Sequence, residues 1–348
     1  MTARGRTDSG RTGSARQGAD TRPSRRRRPG EAEAEAAPEQ ERFSILVCID
    51  GTEDANRAVK YATRIGSGTD ADMTMLYVRP IDQGLRTGGM QISVARENML
   101  SWGLELPGMK TLKAARDILV DLGFMSESWE EESQHTDVQG DPLGDNLVVY
   151  TSDQGQHLTL KLMVSPSVAR GILDECEMSD YDLVIVPHPE DPSEGGGPGY
   201  IDVTVGETVA VEHHGTVLVT RALEESHGHL VCVWDNEQSI AAARRDAQIA
   251  SRCACPVYLY SVAPDESALP EAEAAVAAAK AAIEEVGVQI SGAQVEIGDP
   301  VEKIIEEGRN YSVIVMSSTA RTGLRRFFTT GVSFQVLQRA HNSVMIAR

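Results

Sequence analysis

Short apolar runs alternate along the chain with segments whose small apolar residues recur at helical spacing. Ser44–Ile49 is an uninterrupted apolar run, which is typical of a buried parallel strand. Arg57–Ile65 then shows helical periodicity, and Met73–Val78 is a second apolar run. This order predicts a βαβ unit with a right-handed crossover and a parallel sheet.

The same pattern returns later in the chain. Leu230–Val233 resembles Leu46–Ile49, and Tyr311–Ser318 resembles Tyr181–His188. The end of the chain, His341–Arg348, resembles Gly215–Arg221 in the same way. Because matching segments follow the same order twice, the sequence predicts two copies of one fold.

The second copy predicts five strands that alternate with four helices, as in a doubly wound α/β domain. The predicted strands are about 229–234, 256–262, 288–297, 312–316 and 343–347. The predicted helices are about 237–252, 270–286, 300–308 and 331–340.

The first copy carries an insertion at about 80–160. Residues 80–109 are Gly-rich and predict an irregular loop or short helices. Lys110–Gly123 predicts an amphipathic helix that ends at glycine. Asn146–Thr151 and His157–Leu162 flank a polar turn, and we interpret them as a β-hairpin added to the sheet.

These patterns predict a disordered tail at 1–41, a first domain at 42–222 and a second domain at 228–348. The tail includes the run Arg25–Arg28 but almost no residue to bury. This run is either a solvated tail or a contact for nucleic acid or a partner.

The net charge of the chain indicates which classes of partner are not expected. The chain has a net charge of −19, and the excess of acid lies outside the basic tail. An acidic body repels nucleic acid and acidic membranes, so neither is expected as a partner. No apolar stretch reaches the roughly 20 residues of a membrane helix, and no secretory signal follows the basic N-terminus, so we expect a cytoplasmic location.

Five cysteines without a C-x-x-C motif favour neither a disulfide framework nor a zinc ribbon. Cys253 and Cys255 are the one close pair, with a redox role or plain packing as alternatives. His188, His213 and His214 match no metal-ligand spacing, so no metal site is predicted. No P-loop and no G-x-S-x-G motif is present, and we predict no catalytic residue.

Three segments resemble the universal stress protein family in its tandem two-domain form. They are "ILVCIDGTEDANRAVKYATRI", "GDPVEKIIEEGRNYSVIVMSS" and "RTGLRRFFTTGVSFQVLQRAHNSVMIAR". The resemblance implies strand order 3-2-1-4-5 in each domain, with the last strand as a pairing edge. It also implies a soluble stress-response protein with ATP as its ligand.

In a doubly wound sheet, ligands bind beyond the carboxyl ends of the strands, where the strand order reverses. The first copy offers Asp50, Gly51 and Thr52 there, and the second offers Asp235. The family's Gly-x2-Gly-x9-Gly-Ser/Thr spacing falls on Ser317, Ala320, Thr330 and Gly331, so the phosphate glycines are replaced. Ala320 and Thr330 carry a Cβ where the backbone of the family approaches the phosphate closely. The same loop holds Arg321, Gly323, Arg325 and Arg326.

Several residues near these loops have two interpretations. Trp234 stands where the first copy has Asp50, and it either plugs the pocket or stacks on a base. Gly195, Gly196, Gly197 and Gly199 form either a different phosphate cradle or a flexible acidic loop. Asp50 is either a ligand-binding residue or a cap of the following helix.

The sequence therefore predicts a stress-response protein that acts as a non-catalytic protein-binding module with an unknown protein partner. The alternative is an adenine-nucleotide (ATP) sensor that uses loop 317–331. The two domains are expected to pair pseudo-symmetrically through Val217–Val219 and Val344–Ile346, which removes two exposed sheet edges. A homo-oligomer is a further expectation.

Overall fold

The structure is a computed structural model that describes residues 42–67, 70–81, 106–138, 141–190, 199–221, 228–318 and 331–348. The predicted tail and most of the predicted irregular loop lie outside these residues. Residues 42–348 belong to one compact unit. The division into two domains near 222–228 stays a prediction, and we call the parts before and after it the first and second halves.

The first half contains seven strands and four helices among its described residues. The strands are β1 (Phe43–Cys48), β2 (Ala71–Pro80), β3 (Glu130–Val138), β4 (Asp141–Thr151), β5 (His157–Ser165), β6 (Leu183–Pro187) and β7 (Val217–Thr220). The helices are α1 (Glu53–Ile65), α2 (Pro107–Asp121), α3 (Val168–Met178) and α4 (Val203–Glu212).

The second half contains five strands and four α-helices among its described residues, close to the predicted bounds. The strands are β8 (His229–Cys232), β9 (Val257–Ala263), β10 (Gly292–Ile297), β11 (Val313–Ser317) and β12 (Ser343–Ala347). The helices are α5 (Glu237–Arg252), α6 (Leu269–Glu285), α7 (Pro300–Gly308) and α8 (Val332–Arg339).

The described strands form one sheet in the order β10-β9-β8-β11-β12-β7-β6-β1-β2-β5-β4-β3. The second half has the order 3-2-1-4-5 with parallel neighbours throughout, which confirms the predicted fold class. The first half repeats this order, and β4 and β3 extend its outer edge as antiparallel strands.

The structure corrects the predicted hairpin in one respect. β4 and β5 do form an antiparallel pair, but β5 also pairs parallel to β2 along its length. Thus β5 is the third strand of the doubly wound sheet, and the strands added to the fold are β3 and β4. The sequence did not reveal β3, because its acidic and polar residues lack the period-two apolar pattern of a half-buried strand.

The two halves meet through the predicted pairing of their last strands. β12 runs antiparallel to β7, with Leu218 opposite Met345 and Val217 opposite Ile346. Every residue of both strands is buried. A strand with helices on both faces requires apolar residues at successive positions, which explains why both segments read as continuous apolar runs.

Helices cover both faces of the sheet and enclose two apolar layers. One layer contains residues of α1, α2, α5 and α6, and the other contains residues of α3, α4, α7 and α8. Helix starts follow local chemistry: the Thr52 hydroxyl accepts from Ala55 N at 3.2 Å, and Asp299 caps the helix that begins at Pro300. Within the described residues, no helix has the length and apolar character needed to cross a membrane.

Candidate ligand-binding site

A cavity of about 460 Å³ lies beyond the carboxyl ends of the second half's strands. Its wall comes from the turn after β8, the end of β9, the start of α6 and the start of α8. The lining residues are Trp234, Asp235, Asn236, Ser261, Val262, Ala263, Pro264, Ala268, Glu271, Ala272, Val332 and Ser333. Pockets of this size suit a small organic ligand.

Hydrogen bonds to the backbone fix the polar side chains of this wall. Ser261 Oγ donates to the Val233 carbonyl at 2.8 Å, and Ser333 Oγ donates to the Ser317 carbonyl at 2.8 Å. Asn236 caps α5 by accepting from Ser239 N at 2.8 Å. These bonds hold the wall in one conformation, and the half-buried Trp234 ring remains as its large aromatic surface.

The start of α8 faces the same region without a side-chain cap. Gly331 is the N-cap residue and makes no side-chain hydrogen bond to the first turn. The first-turn N–H groups and the helix dipole together favour an anion at such an end. In the first half, Asp202 caps α4 and accepts from Thr204 N at 2.8 Å and Val205 N at 3.2 Å.

In the corresponding region of the first half, described residues are joined to one another by hydrogen bonds. Asp50 Oδ1 accepts from Thr52 N at 3.0 Å, and Asp50 Oδ2 accepts from Ile201 N at 3.1 Å. Asp50 therefore joins the turn after β1 to the segment before α4. The Thr52 hydroxyl caps α1, so the capping role that the sequence allowed for Asp50 belongs to Thr52.

Tyr77 fills the space next to this turn. A Cβ added to Gly199 would lie 2.5 Å from Tyr77 Cζ, and one added to Gly108 would lie 2.8 Å from Tyr77 Cδ1. Only glycine allows both backbones to approach the ring this closely. Burial raises the pKa of Tyr77, and a hydrogen bond from the Gly199 backbone opposes that shift.

Strand register shows what replaces Tyr77 in the second half. Leu46 lies opposite Thr74, and Leu230, its counterpart in the repeat, lies opposite Tyr258. Three residues further along each strand are Tyr77 and Ser261. The tyrosine that fills the first half thus has a serine as its counterpart, and this serine lines the cavity of the second half.

The structure separates the residues of the predicted nucleotide site. Asp235 lines the cavity, Gly331 begins α8, and Ser317 ends β11 with its carbonyl bonded to Ser333. Asp50, Gly51 and Thr52 belong to the first half. Ala320, Arg321, Gly323, Arg325, Arg326 and Thr330 lie outside the described residues, as do Gly195, Gly196 and Gly197.

Sequence reasoning missed Tyr77, Ser261 and Glu271 as determinants of the site. The repeat offset could have paired Tyr77 with Ser261, but it could not show that Gly199 contacts the Tyr77 ring. His188, His213 and His214, considered above as metal ligands, join no group of three metal-binding side chains in the described parts of the chain. Burial lowers the pKa of His188 and of His213 to about 4.

Comparison with known proteins agrees with this architecture. The sequence model of the Universal stress protein family matches residues 229–348. A comparison with curated proteins finds no match. A universal stress protein of Archaeoglobus fulgidus DSM 4304 has 13% identity and a TM-score of 0.57, with 89% of this chain and 99% of that chain covered. A functionally unknown protein of Pseudomonas aeruginosa PAO1 has 16% identity and a TM-score of 0.52, with 88% and 93% covered.

Residues 229–348 are accordingly a domain of the universal stress protein family. The structural matches extend the same fold over most of the chain, including the first half. A tandem form with two such halves is consistent with these matches.

Proposed function

We propose that this protein binds an adenine nucleotide in the cavity of its second half, while its first half is a closed structural partner. The observation that carries this proposal is the contrast at one sheet position. Ser261 lines a cavity of about 460 Å³ in the second half, whereas Tyr77, at the corresponding position of the first half, packs closely against Gly108 and Gly199. The proposed role is binding without a chemical step.

The cavity wall supports a planar base as part of the ligand. Trp234 offers an aromatic ring for stacking, and Val262, Ala263 and Val332 add apolar surface. Asp235 and Glu271 are exposed carboxylates at the same cavity, and carboxylates accept hydrogen bonds from amino or ribose hydroxyl groups.

The start of α8 supports a phosphate group next to the base. The Gly331 end carries the positive pole of the helix, and among the described residues no carboxylate caps it, in contrast to Asp202 in the first half. In the sequence, the two cationic residues Arg325 and Arg326 precede Gly331 by only a few residues.

Replacement of Ser261 by tyrosine, the residue at the same position of the first half, tests the proposal. We expect Ser261→Tyr to fill the cavity and weaken ATP binding by about 100-fold or more in calorimetry, from a micromolar dissociation constant. Ser261→Ala is the control: it loses the bond to Val233 but keeps the space, so affinity stays within about threefold. Absence of heat at millimolar ATP, or equal affinity in both variants, would contradict the proposal.

A second candidate function is non-catalytic contact with a protein partner, which one observation favours. β3 is one of the two edge strands of the sheet that the described residues form, and all but one of its residues are exposed, including Glu130, Glu131 and Glu132. An open strand edge with acidic side chains suits a basic, extended segment of a partner. Acidic residues on an edge also prevent self-association, which is the structural alternative.

Charge reversal separates these interpretations of β3. We expect an arginine-rich extended peptide to bind the protein in fluorescence anisotropy, and Glu130→Lys with Glu131→Lys and Glu132→Lys to abolish that binding. The control reverses three exposed glutamates of α6, Glu273, Glu284 and Glu285. Equal loss of binding in both triple variants would show non-specific attraction to the acidic body.

A further inference from the structure

The two sulfur atoms of Cys253 and Cys255 lie together at the opposite, amino-terminal end of the second half's strands. The pair follows the C-terminus of α5, and the structure joins it as a disulfide across Ala254, with a Cα–Cα distance of 5.2 Å. Ala254 has φ +52°, a left-handed conformation at the helix end. This turn brings both cysteines to the same side of the chain.

A buried histidine completes a group of three metal-binding side chains. His229 is the first residue of β8 and is fully buried. Each of the three residues His229, Cys253 and Cys255 offers one ligand atom. These three atoms all lie within 4.8 Å of one another. In a tetrahedral zinc site, bonds of about 2.1 Å to nitrogen and 2.3 Å to sulfur place ligand atoms roughly 3.5–3.8 Å apart, so small side-chain movements suffice.

The Asp246 side of the His229 ring matches the surroundings of a metal-bound imidazole, and a metal at the other nitrogen would replace the hydrogen bond to Tyr61. His229 Nδ1 lies 2.7 Å from Asp246 Oδ1, and Nε2 lies 2.8 Å from the Tyr61 hydroxyl oxygen. A carboxylate that accepts from one ring nitrogen fixes the tautomer and increases the basicity of the other. Asp246 is itself fully buried, and its Oδ2 has no hydrogen-bond partner, as expected of a charge that a nearby cation would compensate.

A cleft gives access to Cys253 from solvent. It has a volume of about 440 Å³ and lies between the C-terminal parts of α1 and α5. Cys253 and Ala254 line it together with Lys60, Arg64 and Arg252.

We propose that Cys253, Cys255 and His229, once the disulfide is reduced, bind one thiophilic divalent cation of the Zn²⁺ class. A thiol or phosphine reductant supplies two electrons, which break the Sγ–Sγ bond, and two protons from solvent complete the two thiols. Metal binding then forms two metal–sulfur bonds and one metal–nitrogen bond and releases both thiol protons. Three protein ligands leave the fourth tetrahedral position to water.

The disulfide and the metal site are alternative states of the same pair of sulfur atoms. A bonded pair has no thiolate to offer, so the oxidised protein lacks the site. The structural role of the turn after α5 is retained in both states, because Cys255 N donates to the Ala250 carbonyl at 2.9 Å through the backbone alone.

Co²⁺ is the probe for this proposal, since tetrahedral Co²⁺ with thiolate ligands absorbs in the visible and near-ultraviolet. The full chain is reduced with a phosphine, desalted without oxygen and titrated with Co²⁺ and then with Zn²⁺. We expect one equivalent of Co²⁺ with a sulfur charge-transfer band, displacement by one equivalent of Zn²⁺, and no band in the oxidised protein. Absence of binding to the reduced protein would overturn the proposal.

Variants identify the ligands. Cys253→Ser and Cys255→Ser each remove the band, whereas Cys176→Ser, at a partly buried cysteine elsewhere, keeps it. His229→Gln weakens Co²⁺ binding, and Asp246→Asn, which changes only a positioning residue, weakens it by about 10–100-fold. Melting temperatures without metal show which variants remain folded. A band that survives loss of both cysteines, or an unchanged affinity in folded His229→Gln, would overturn the assignment.

Discussion

Tyr77 and Ser261 occupy the same position of the two half-sheets, and they give the two halves opposite interiors. Both lie three residues beyond matched partners in the strand register. Tyr77 packs against Gly108 and Gly199, whereas Ser261 turns its hydroxyl to the Val233 carbonyl and lines an open cavity. The same sheet position therefore holds a packed aromatic ring in the first half and a cavity-lining hydroxyl in the second.

The first prediction concerns the aromatic ring of Tyr77 in the first half. Tyr77→Ser should lower the free energy of unfolding by about 3 kcal/mol, because a buried aromatic ring leaves a cavity that rigid neighbours do not refill. Tyr77→Phe keeps the ring and loses only the hydroxyl, so it should cost about 1 kcal/mol. Urea unfolding followed by circular dichroism measures both, and equal losses would show that Tyr77 does not fill its region by packing.

The second prediction concerns the two arginines of the loop before α8. Arg325→Glu with Arg326→Glu should weaken ATP binding by about 100-fold, because two cations that attract the phosphates become anions. A control with the same change in net charge is Arg170→Glu with Arg309→Glu, at exposed positions of α3 and the end of α7. If both double variants lose affinity equally, the overall charge and not the loop controls binding. Unchanged binding of the arginine-rich peptide by the loop variant would separate the two candidate functions.

The third prediction tests the pairing of β7 with β12, the last strands of the two halves. Leu218 is fully buried opposite Met345, so Leu218→Ala should cost about 2–5 kcal/mol of unfolding free energy. Leu122, which is 49% exposed, is the matched control, and Leu122→Ala should change stability by less than about 0.5 kcal/mol. Urea unfolding measures both variants. A small loss of unfolding free energy in Leu218→Ala would mean that the pairing of β7 with β12 adds little to stability.

The fourth prediction is a loss of stability in acid that depends on two histidines. Burial, followed by the nearby Arg221, lowers the pKa of His188 to about 4. Burial, followed by Arg348, lowers that of His213 to about 4. The unfolded chain takes up these protons near pH 6.5. Between about pH 6.5 and 4 the unfolded state thus binds more protons, and stability falls as the pH falls.

Replacement of these histidines should flatten the pH dependence. His188→Gln with His213→Gln should show a smaller decrease of the urea midpoint between pH 6.5 and 4 than the parent protein. The exposed neighbour His214 provides the control, and His214→Gln should keep the parent slope. Parallel curves for all three proteins would show that neither buried histidine contributes to acid sensitivity.

Sequence determined the architecture of the second half because its local signals agree with one another. Asn236 and Asp299 cap the helices that follow them, Pro270 and Pro300 stand in first turns, and apolar runs mark four of the five strands, all except β10. The repeat also placed Val217–Val219 against Val344–Ile346, because two exposed apolar edges have a strong reason to pair. The same reasoning failed at β3, whose exposed acidic residues owe their strand conformation to pairing with β4.

Tertiary structure alone decided where the cavity of the second half lies and which residues from distant parts of the chain meet. The repeat gives both halves the same strand order, but a cavity depends on the volume of side chains that converge from several segments. Tyr77 meets Gly108 and Gly199 only after the chain has folded. In the same way, Tyr61 of the first half reaches His229 of the second across 168 residues. Local pattern determines elements and their order, whereas long-range packing determines contacts and empty space.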